Sequence, residues 1–403
     1  MTNPLSAGTI ALVRASVPAL VTHGGYITSK MYDRLFQDEH IRALFNHGNQ
    51  GEGGAQVHAL AAAILGYAQN IDNLGALAPV VERIAQKHIG FHILPEHYPY
   101  VAKALLGALE DVLGEAATPE LLAAWGEAFW FLADILKARE GVIRSEIERA
   151  DGGWTGWRAF RVEAKIRESE VITSFVLRPV DGHPVLAHRA GQYLTLRLDR
   201  VGAEPLRRNY SISCAANGET YRVSIKREAL GAASRWLHDF VNVGDVLHST
   251  PPAGDFFLPE RPQRPIVLLS GGVGLTPMVS MIETIAARHP GLETHYVHGT
   301  TSSATHAMDD HVRALAREND NIRVATFYSQ PGESDAAGAT HDVDGNITTE
   351  WLRSNTPITE ADVYLCGPKP FLRAFVSGLS LAGVPADRIH YEFFGPADEL
   401  MAA

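Results

Sequence analysis

A glycine-rich run in the last third of the chain has the residue types that bind a phosphate. Ser270-Gly271-Gly272-Val273-Gly274-Leu275-Thr276-Pro277 follows an apolar stretch typical of a strand and precedes a stretch typical of a helix. Backbone N–H groups at a helix start attract anions, and glycines let a ligand approach them closely. The run lacks the lysine of an ATP-binding loop, and its spacing differs from the usual dinucleotide fingerprint. A tight structural turn is the alternative interpretation.

His88 is a second candidate for chemistry, as a metal ligand. It ends the run Val80-Val81-Glu82-Arg83-Ile84-Ala85-Gln86-Lys87-His88, four residues after Ile84 and eight after Val80. This spacing places His88 on the apolar face of a predicted helix. The chain has 18 histidines, so position alone leaves open both a buried core histidine and a ligand.

The first 150 residues, which must position His88, have a helical pattern. Apolar residues such as Val101, Leu105, Leu109 and Val112 repeat at three- and four-residue steps. Thr118-Pro119 is a good helix start, because threonine caps the helix and proline needs no N–H in the first turn. We predict six to eight helices and no strand in this part of the chain.

The middle of the chain has a different pattern. Ala150-Asp151-Gly152-Gly153-Trp154-Thr155-Gly156 is a polar, glycine-rich stretch of the kind that joins domains. Short β-rich segments separated by turn residues follow it, which predicts an antiparallel barrel over residues 151–262. The predicted strands are Ala159–Ile166, Val171–Leu177, Tyr193–Leu198, Tyr210–Ser213, Tyr221–Lys226 and Asp245–Ser249.

The glycine-rich run lies in the third part, where strand and helix patterns alternate. Such alternation after Arg261-Pro262-Gln263-Arg264-Pro265 predicts a doubly wound parallel sheet over residues 263–403. The predicted fold class is therefore multidomain: an all-α domain over residues 1–150, the antiparallel β-barrel, and an α/β doubly wound domain.

Composition excludes several classes of function. The formal net charge is -11 and no basic stripe is evident, so a nucleic-acid partner is not expected. Cys214 and Cys366 are the only cysteines, too few for a disulfide scaffold or a four-thiolate metal site. The first residues lack a signal-peptide pattern, and no apolar run reaches the length of a membrane span. We expect a soluble, cytoplasmic monomer.

Four further motifs surround the glycine-rich run in a fixed order: Gly191-Gln192-Tyr193, Arg208-Asn209-Tyr210-Ser211, Cys366-Gly367-Pro368 and Tyr391-Glu392-Phe393-Phe394-Gly395. Together they resemble the ferredoxin–NADP reductase family, in which a flavin barrel precedes a nicotinamide nucleotide domain. For each residue taken alone, the alternative is a purely structural role as a strand residue that faces its neighbour.

The resemblance implies specific roles. Tyr193 and Arg208-Asn209-Tyr210-Ser211 would hold FAD, with Tyr210 along the flavin ring, Ser211 near its reactive edge and Arg208 on the pyrophosphate, for which a guanidinium is well suited. The residues implied for the nicotinamide nucleotide and the flavin face are Gly272–Pro277 and Phe393-Phe394-Gly395-Pro396.

Two stretches depart from the patterns of close relatives in that family. Ala229-Leu230-Gly231-Ala232-Ala233-Ser234 lacks the paired glycines often found before the serine, so Ser234 is a candidate FAD ligand on weaker grounds. Thr300-Thr301-Ser302-Ser303 offers no arginine for a 2′-phosphate, which favours NADH over NADPH.

The helical part resembles the globin family, specifically its flavohaemoglobin branch. Tyr32 in Tyr32-Asp33-Arg34-Leu35-Phe36 implies a distal tyrosine, and the stretch that ends at His88 matches the proximal helix. Phe45 would pack on the haem edge, and Gln56 with Leu60 would line the ligand side. A core tyrosine and a surface amide are the alternatives for Tyr32 and Gln56.

The same resemblance pairs Tyr98 and Glu140 with the far nitrogen of His88. A carboxylate there gives the imidazole anionic character, which suits redox turnover better than gas storage. Lys87 and Glu392 are a further candidate pair near haem and flavin, and a solvated lysine is the alternative.

The resemblance implies a nitric oxide dioxygenase. NADH or NADPH would reduce FAD, FAD would reduce haem b iron one electron at a time, and nitric oxide would react with dioxygen to give nitrate. Two rival functions stay open: a gas-binding sensor or store that its reductase keeps ferrous, and a plain flavin reductase.

Overall fold

The structure is a computed structural model that describes residues 5–44, 55–200, 202 and 205–395. The chain forms two compact units. One contains the residues up to Arg149 together with Asp199–Arg207, and the other consists of Ala150–Leu198 and Arg208–Phe394. The second unit holds both sheets except for Leu206 and Arg207, so the predicted division at residue 262 stays a prediction.

The first unit is helical, as predicted. Within its described residues, apolar periodicity produces these α-helices: α1 Ala7–Ala15, α2 Val17–Leu35, α3 Glu39–Arg42, α4 Ala55–Gln69, α5 Ala78–Gly90, α6 Tyr98–Leu113 and α7 Pro119–Arg149. α7 starts at the predicted cap, where the Thr118 hydroxyl accepts the Leu121 N–H at 3.3 Å.

The core of the helical unit lies between α2, α4, α6 and α7. Trp125 of α7 is 1% exposed, and its ring N–H donates to the Ser16 hydroxyl at 3.2 Å. The Tyr67 hydroxyl of α4 donates to the Ala128 carbonyl at 2.8 Å. Burying each such aromatic side chain stabilises the fold by about 1.5–3 kcal/mol, provided that its polar atom keeps a partner.

The chain leaves α5 by a short loop. α5 ends at Gly90, His92 has a left-handed φ of 56°, and Pro95 begins a single 3-10 turn that leads into α6. Because this connection is short, Tyr98 at the start of α6 lies close to the last turn of α5. The loop therefore positions two of the predicted site residues.

An antiparallel six-stranded sheet forms the first part of the second unit, in the order β4-β3-β6-β1-β2-β5. Its core includes Phe160, Phe175 and Leu196, each of which is fully buried. The strands are β1 Arg158–Arg167, β2 Ile172–Pro179, β3 Tyr193–Leu198, β4 Leu206–Ser211, β5 Tyr221–Lys226 and β6 Val246–Ser249.

A helix that we did not predict lies between β5 and β6. α8 spans Ala232–Phe240 and buries Ala233 and Leu237. It has too few residues for the helical period to stand out from the β-rich pattern around it.

The rest of the unit is a parallel sheet with the order β10-β9-β8-β7-β11-β12, as predicted for a doubly wound domain. The order reverses between β7 and β11, so the carboxyl ends of these two strands flank a switch point. Its elements are β7 Ile266–Gly271, α9 Leu275–Arg288, β8 Thr294–Thr300, α10 Asp309–Glu318, β9 Ile322–Tyr328, β10 Val343–Asp344, α11 Thr349–Asn355, β11 Asp362–Cys366, α12 Lys369–Leu381 and β12 Ile389–Glu392.

No single helix in the described ranges is both long and apolar enough to span a membrane. By length and composition alone, α1 and α2 pass that test only as a pair, bent by 65° at the break between them.

Candidate functional site

The helical unit brings His88, Tyr98 and Glu140 together. Nδ1 of His88 lies 2.7 Å from Oε1 of Glu140 and 3.1 Å from the Tyr98 hydroxyl, which itself donates to the same carboxylate oxygen at 2.5 Å. A carboxylate oxygen accepts both bonds, so Nδ1 carries the imidazole hydrogen. The lone pair of His88 is then on Nε2, the atom that a metal would use.

Glu140 is fully buried, and hydrogen bonds from Tyr98 and His88 compensate for the burial of its carboxylate. Glu140 has 0% exposure and lies on α7 one turn beyond Leu136, which packs with Tyr98 and Ala133 in an apolar cluster. Burial raises the pKa of Tyr98, and the carboxylate of Glu140 raises it further. The Tyr98 hydroxyl therefore stays protonated and acts as a fixed donor.

These residues fit a haem group. A neutral histidine whose Nδ1–H is held by a carboxylate is a common arrangement around a ligated metal. On α2, Tyr32 is 6% exposed, and burial raises its pKa to about 12. Leu60 of α4 is partly buried in the same apolar core. Phe45 lies outside the described residues, and the side chain of Gln56 is not described although its backbone belongs to α4.

The predicted pair of Lys87 and Glu392 is divided between the two units. Lys87 is an exposed residue of α5, and Glu392 is the last residue of β12. Their pairing stays a prediction.

Tyr193, which we predict to bind FAD, lies on β3 of the antiparallel sheet. Its hydroxyl is buried without a hydrogen-bond partner, and burial, with the charges of Glu392 and Asp255, raises its pKa. Gly254, with φ of 112°, packs against the Tyr193 ring, where a Cβ would lie 3.0 Å from two ring carbons. A buried donor without a partner is costly, and a bound cofactor such as FAD would provide an acceptor.

The arginine-to-serine motif lies on β4, beside β3. Asn209 accepts a hydrogen bond from the Thr195 hydroxyl at 2.9 Å, which joins the motif to the strand of Tyr193. Ser211 is buried, Arg208 is half-buried, and burial raises the pKa of Tyr210. The motif therefore presents a cation, an aromatic ring and a hydroxyl on the single strand β4, next to the strand of Tyr193, which fits FAD.

Ser234 has partners in its own loop. Its hydroxyl accepts the Glu228 N–H at 3.1 Å and lies 3.4 Å from the Gly231 carbonyl. These bonds hold the turn before α8, and Ser234 as a FAD ligand stays a prediction.

The glycine-rich run lies at the switch point between β7 and β11. Gly272 has φ of 54°, and a Cβ there would meet no atom within 4 Å, so space is open above it. Gly274 is different, because a Cβ there would lie 2.1 Å from the Cys366 carbonyl oxygen. The structural interpretation thus holds for Gly274, while Gly272 fits the approach of a nucleotide phosphate.

Other residues of the run stabilise the start of α9, the helix that follows. Leu275 and Pro277 are buried in the first turn of α9, and the Thr276 hydroxyl donates to the Val273 carbonyl at 3.1 Å. At the end of β12, Phe394 is 49% exposed, so its ring is available to a ligand. Phe393 is half-buried and Gly395 exposed, and Pro396 lies outside the described residues.

Two residues at these sites were not predicted from the sequence. Arg144 lies 3.6 Å from Oε2 of Glu140, and the i, i+4 spacing of these residues in a helix was the available signal. Gly254 packs on Tyr193, and only its place in Pro251-Pro252-Ala253-Gly254-Asp255 suggested a turn.

Two protein families match parts of the chain: Globin over residues 29–136 and Oxidoreductase NAD-binding domain over residues 268–377. Similar curated proteins carry the name Flavohemoprotein. The one from Xylella fastidiosa (strain 9a5c) is 57% identical over 403 residues and covers 100% of both chains. The one from Rhodopirellula baltica is 42% identical over 99% of this chain and 100% of its own.

Two solved structures are also similar. The flavohemoglobin from Malassezia yamatoensis, with bound FAD and heme, matches with a TM-score of 0.87 at 26% identity, over 98% of this chain and 100% of its own. The flavohem-like FAD/NAD binding domain of nitric oxide dioxygenase from Vibrio cholerae O1 biovar El Tor matches with a TM-score of 0.55 at 37% identity. It covers 61% of this chain and 100% of its own.

Proposed function

Because the chain belongs to the flavohaemoprotein family, with haem, FAD and a nicotinamide nucleotide as its cofactors, we propose that it is a nitric oxide dioxygenase. In this reaction NADH or NADPH supplies electrons through FAD to haem, and nitric oxide and dioxygen combine to give nitrate. The Vibrio cholerae protein that matches the reductase part is itself a nitric oxide dioxygenase.

The bond between Glu140 and His88 is the observation that carries the proposal. A fully buried carboxylate, 2.7 Å from Nδ1, takes part of the imidazole proton and makes Nε2 a stronger electron donor. Tyr98 keeps the carboxylate in place through its own short bond. A strongly electron-donating histidine is expected in a protein whose iron is repeatedly oxidised and reduced, rather than in one that only stores a gas.

Tyr32 supports the same reaction from the distal helix α2. Because burial raises its pKa to about 12, the hydroxyl is protonated at neutral pH and donates a hydrogen bond. A donor in an apolar pocket orients a polar ligand there and holds it until nitric oxide arrives.

The residues of the second unit would hold the electron donors. Arg208 would neutralise the FAD pyrophosphate, and Tyr193 and Ser211 would donate to the flavin. The N–H groups around Gly272 would receive the pyrophosphate of the nicotinamide nucleotide at the start of α9. The Phe394 ring would cover the flavin face that the nicotinamide must reach.

The proposal is tested first by the absorption spectrum of the purified full-length protein during anaerobic addition of NADH. We expect ferric haem and oxidised flavin bands to give way to reduced forms. Dioxygen and nitric oxide are then admitted, and nitrate is measured. Electron balance requires one NADH for every two nitric oxide molecules, since each conversion to nitrate takes one electron from the chain.

The variant His88→Ala separates the two parts of the protein. It should abolish haem binding and nitrate formation while NADH oxidation by ferricyanide continues. A wild-type spectrum with flavin but no haem band, even after haem is supplied, would leave only a flavin reductase. Reduction without sustained nitric oxide consumption would favour the sensor or store.

A further inference from the structure

The two oxygens of Glu140 have different neighbours. Oε1 accepts hydrogen bonds from Tyr98 and His88. Oε2 is buried and has no hydrogen bond, and its neighbouring cation is the Arg144 guanidinium, with Nη2 at 3.6 Å. The carboxylate therefore lies between an imidazole N–H on one oxygen and a positive charge on the other.

Arg144 is held in this position from two sides. It lies one turn after Glu140 on α7, and its side chain is 19% exposed. Its Nη2 also donates to the main-chain carbonyl of Ile93, and the Ile93 N–H donates to the His88 carbonyl at 2.8 Å. The guanidinium thus bridges α7 to the loop that directly follows the proposed iron ligand, unlike a solvated surface arginine.

A fixed cation at Oε2 changes what Glu140 does at Oε1. Positive charge draws the negative charge of the carboxylate towards itself, and in a buried environment this attraction is only weakly screened. Oε1 then accepts the Nδ1 proton of His88 less strongly, so the imidazole is less anionic. A less electron-rich ligand stabilises ferric iron less, which makes ferrous iron easier to form.

We propose that Arg144 is a positioning residue that raises the reduction potential of the haem iron by holding a positive charge against Glu140. The inference rests on the proposed function in one respect, that His88 is the iron ligand. In this arrangement Glu140 strengthens electron donation by His88 and Arg144 limits it. Both residues together set how readily the iron accepts an electron from the reductase.

The test is a spectroelectrochemical titration of the haem in full-length protein, with Arg144→Gln and Arg144→Met as neutral variants. At the wild-type midpoint, we expect the ferrous-to-ferric ratio of each to fall about three- to tenfold, where tenfold corresponds to about 59 mV for one electron. The iron–histidine stretching band of the ferrous protein should move to higher frequency, because a more anionic imidazole binds iron more strongly.

Two further variants separate charge from structure. Arg144→Lys keeps the charge and should keep a near wild-type potential. Arg139→Gln removes another arginine of α7, one that pairs with Glu82 of α5 at 2.6 Å, and should leave the potential unchanged. A shift in Arg144→Lys as large as in Arg144→Gln would show that geometry rather than charge is responsible and would overturn the proposal.

Haem content distinguishes failure of the inference from failure of the proposed function. If His88→Ala loses haem while both neutral Arg144 variants bind it at the wild-type potential, the inference alone is wrong. If His88→Ala retains haem with an unchanged spectrum, His88 is not the ligand and the inference falls with it. The two neutral variants differ in polarity, so the potential is read from whichever folds with full haem content.

Discussion

The Tyr98 hydroxyl and the Glu140 carboxylate share a hydrogen bond of 2.5 Å between α6 and α7. This bond joins the first residue of one helix to a fully buried position of another, and both groups contact Nδ1 of His88. The carboxylate is therefore held on the histidine by packing and hydrogen bonding together. Its charge and its orientation can be tested separately.

Glu140→Gln removes the charge and keeps the size of the side chain. We expect nitric oxide turnover to fall about 10- to 100-fold, the usual range for residues that support a metal ligand. Dioxygen affinity should change less, because electron donation by His88 to the iron matters most during turnover. Stopped-flow measurements of both quantities provide the check. Glu146→Gln, an exposed position on α7, is the control, and equal effects in the two variants would contradict the proposed role.

Tyr32→Phe removes the distal hydroxyl while keeping the ring that stacks on Phe36 at 5.3 Å. Loss of a hydrogen bond from a buried donor costs about 1–3 kcal/mol, so dioxygen should dissociate from the reduced protein about 5- to 150-fold faster. Flash photolysis measures this rate. Tyr26→Phe alters a tyrosine of the same helix that is 52% exposed and should leave it unchanged. An unaltered rate in Tyr32→Phe would place the hydroxyl outside the ligand pocket.

Gly272→Ala and Gly274→Ala should fail in different ways. At Gly274 the new Cβ would meet the Cys366 carbonyl oxygen at 2.1 Å, and because this neighbour is main chain the second unit should lose about 3 kcal/mol of stability or more. At Gly272 no atom lies within 4 Å, and the positive φ costs about 1–2 kcal/mol. Gly272→Ala should therefore stay folded but raise KM for NADH with ferricyanide as acceptor. Denaturant unfolding and steady-state kinetics distinguish these outcomes. An unchanged KM in Gly272→Ala would show that the nucleotide does not bind at this loop.

His188 should make the second unit sensitive to acid. Burial lowers its pKa from 6.5 to about 4 in the folded protein, although its bond to the Cys214 carbonyl acts in the opposite direction. The unfolded chain therefore binds the extra proton between these values. The stability contribution is complete above pH 6.5 and is lost as the pH falls towards about 4, by at most about 1.4 kcal/mol per pH unit.

His188→Gln should flatten this slope in denaturant titrations of the second unit between pH 4 and 6.5. His183→Gln, which changes an exposed histidine five residues earlier, should leave the slope as it is. His298 is also buried, and burial and His306 hold its pKa well below the usual value. It adds a loss of stability with falling pH that is the same in both variants. Identical slopes for His188→Gln and wild type would show that His188 does not titrate on unfolding.

Local pattern was sufficient to predict the fold class. Strands need only alternation and turn residues, so β3 Tyr193–Leu198 and β5 Tyr221–Lys226 have the predicted bounds. The cap at Thr118 follows from one residue and the proline after it. Elements too short for their period to stand out, such as α8 and the two-residue β10, were missed.

Sequence alone was enough to establish the order of the elements, the place of the glycine-rich run after an apolar strand, and which residues resemble known motifs. Which of these residues contact one another depends on the packing of the folded chain. His88 and Glu140 are 52 residues apart, and periodicity says nothing about which turn of α7 faces α5. Likewise, Gly274 and Cys366 meet because β7 and β11 are adjacent, and Arg144 reaches Ile93 because α7 packs over the loop after His88. Such contacts depend on packing between distant segments, which no local pattern encodes.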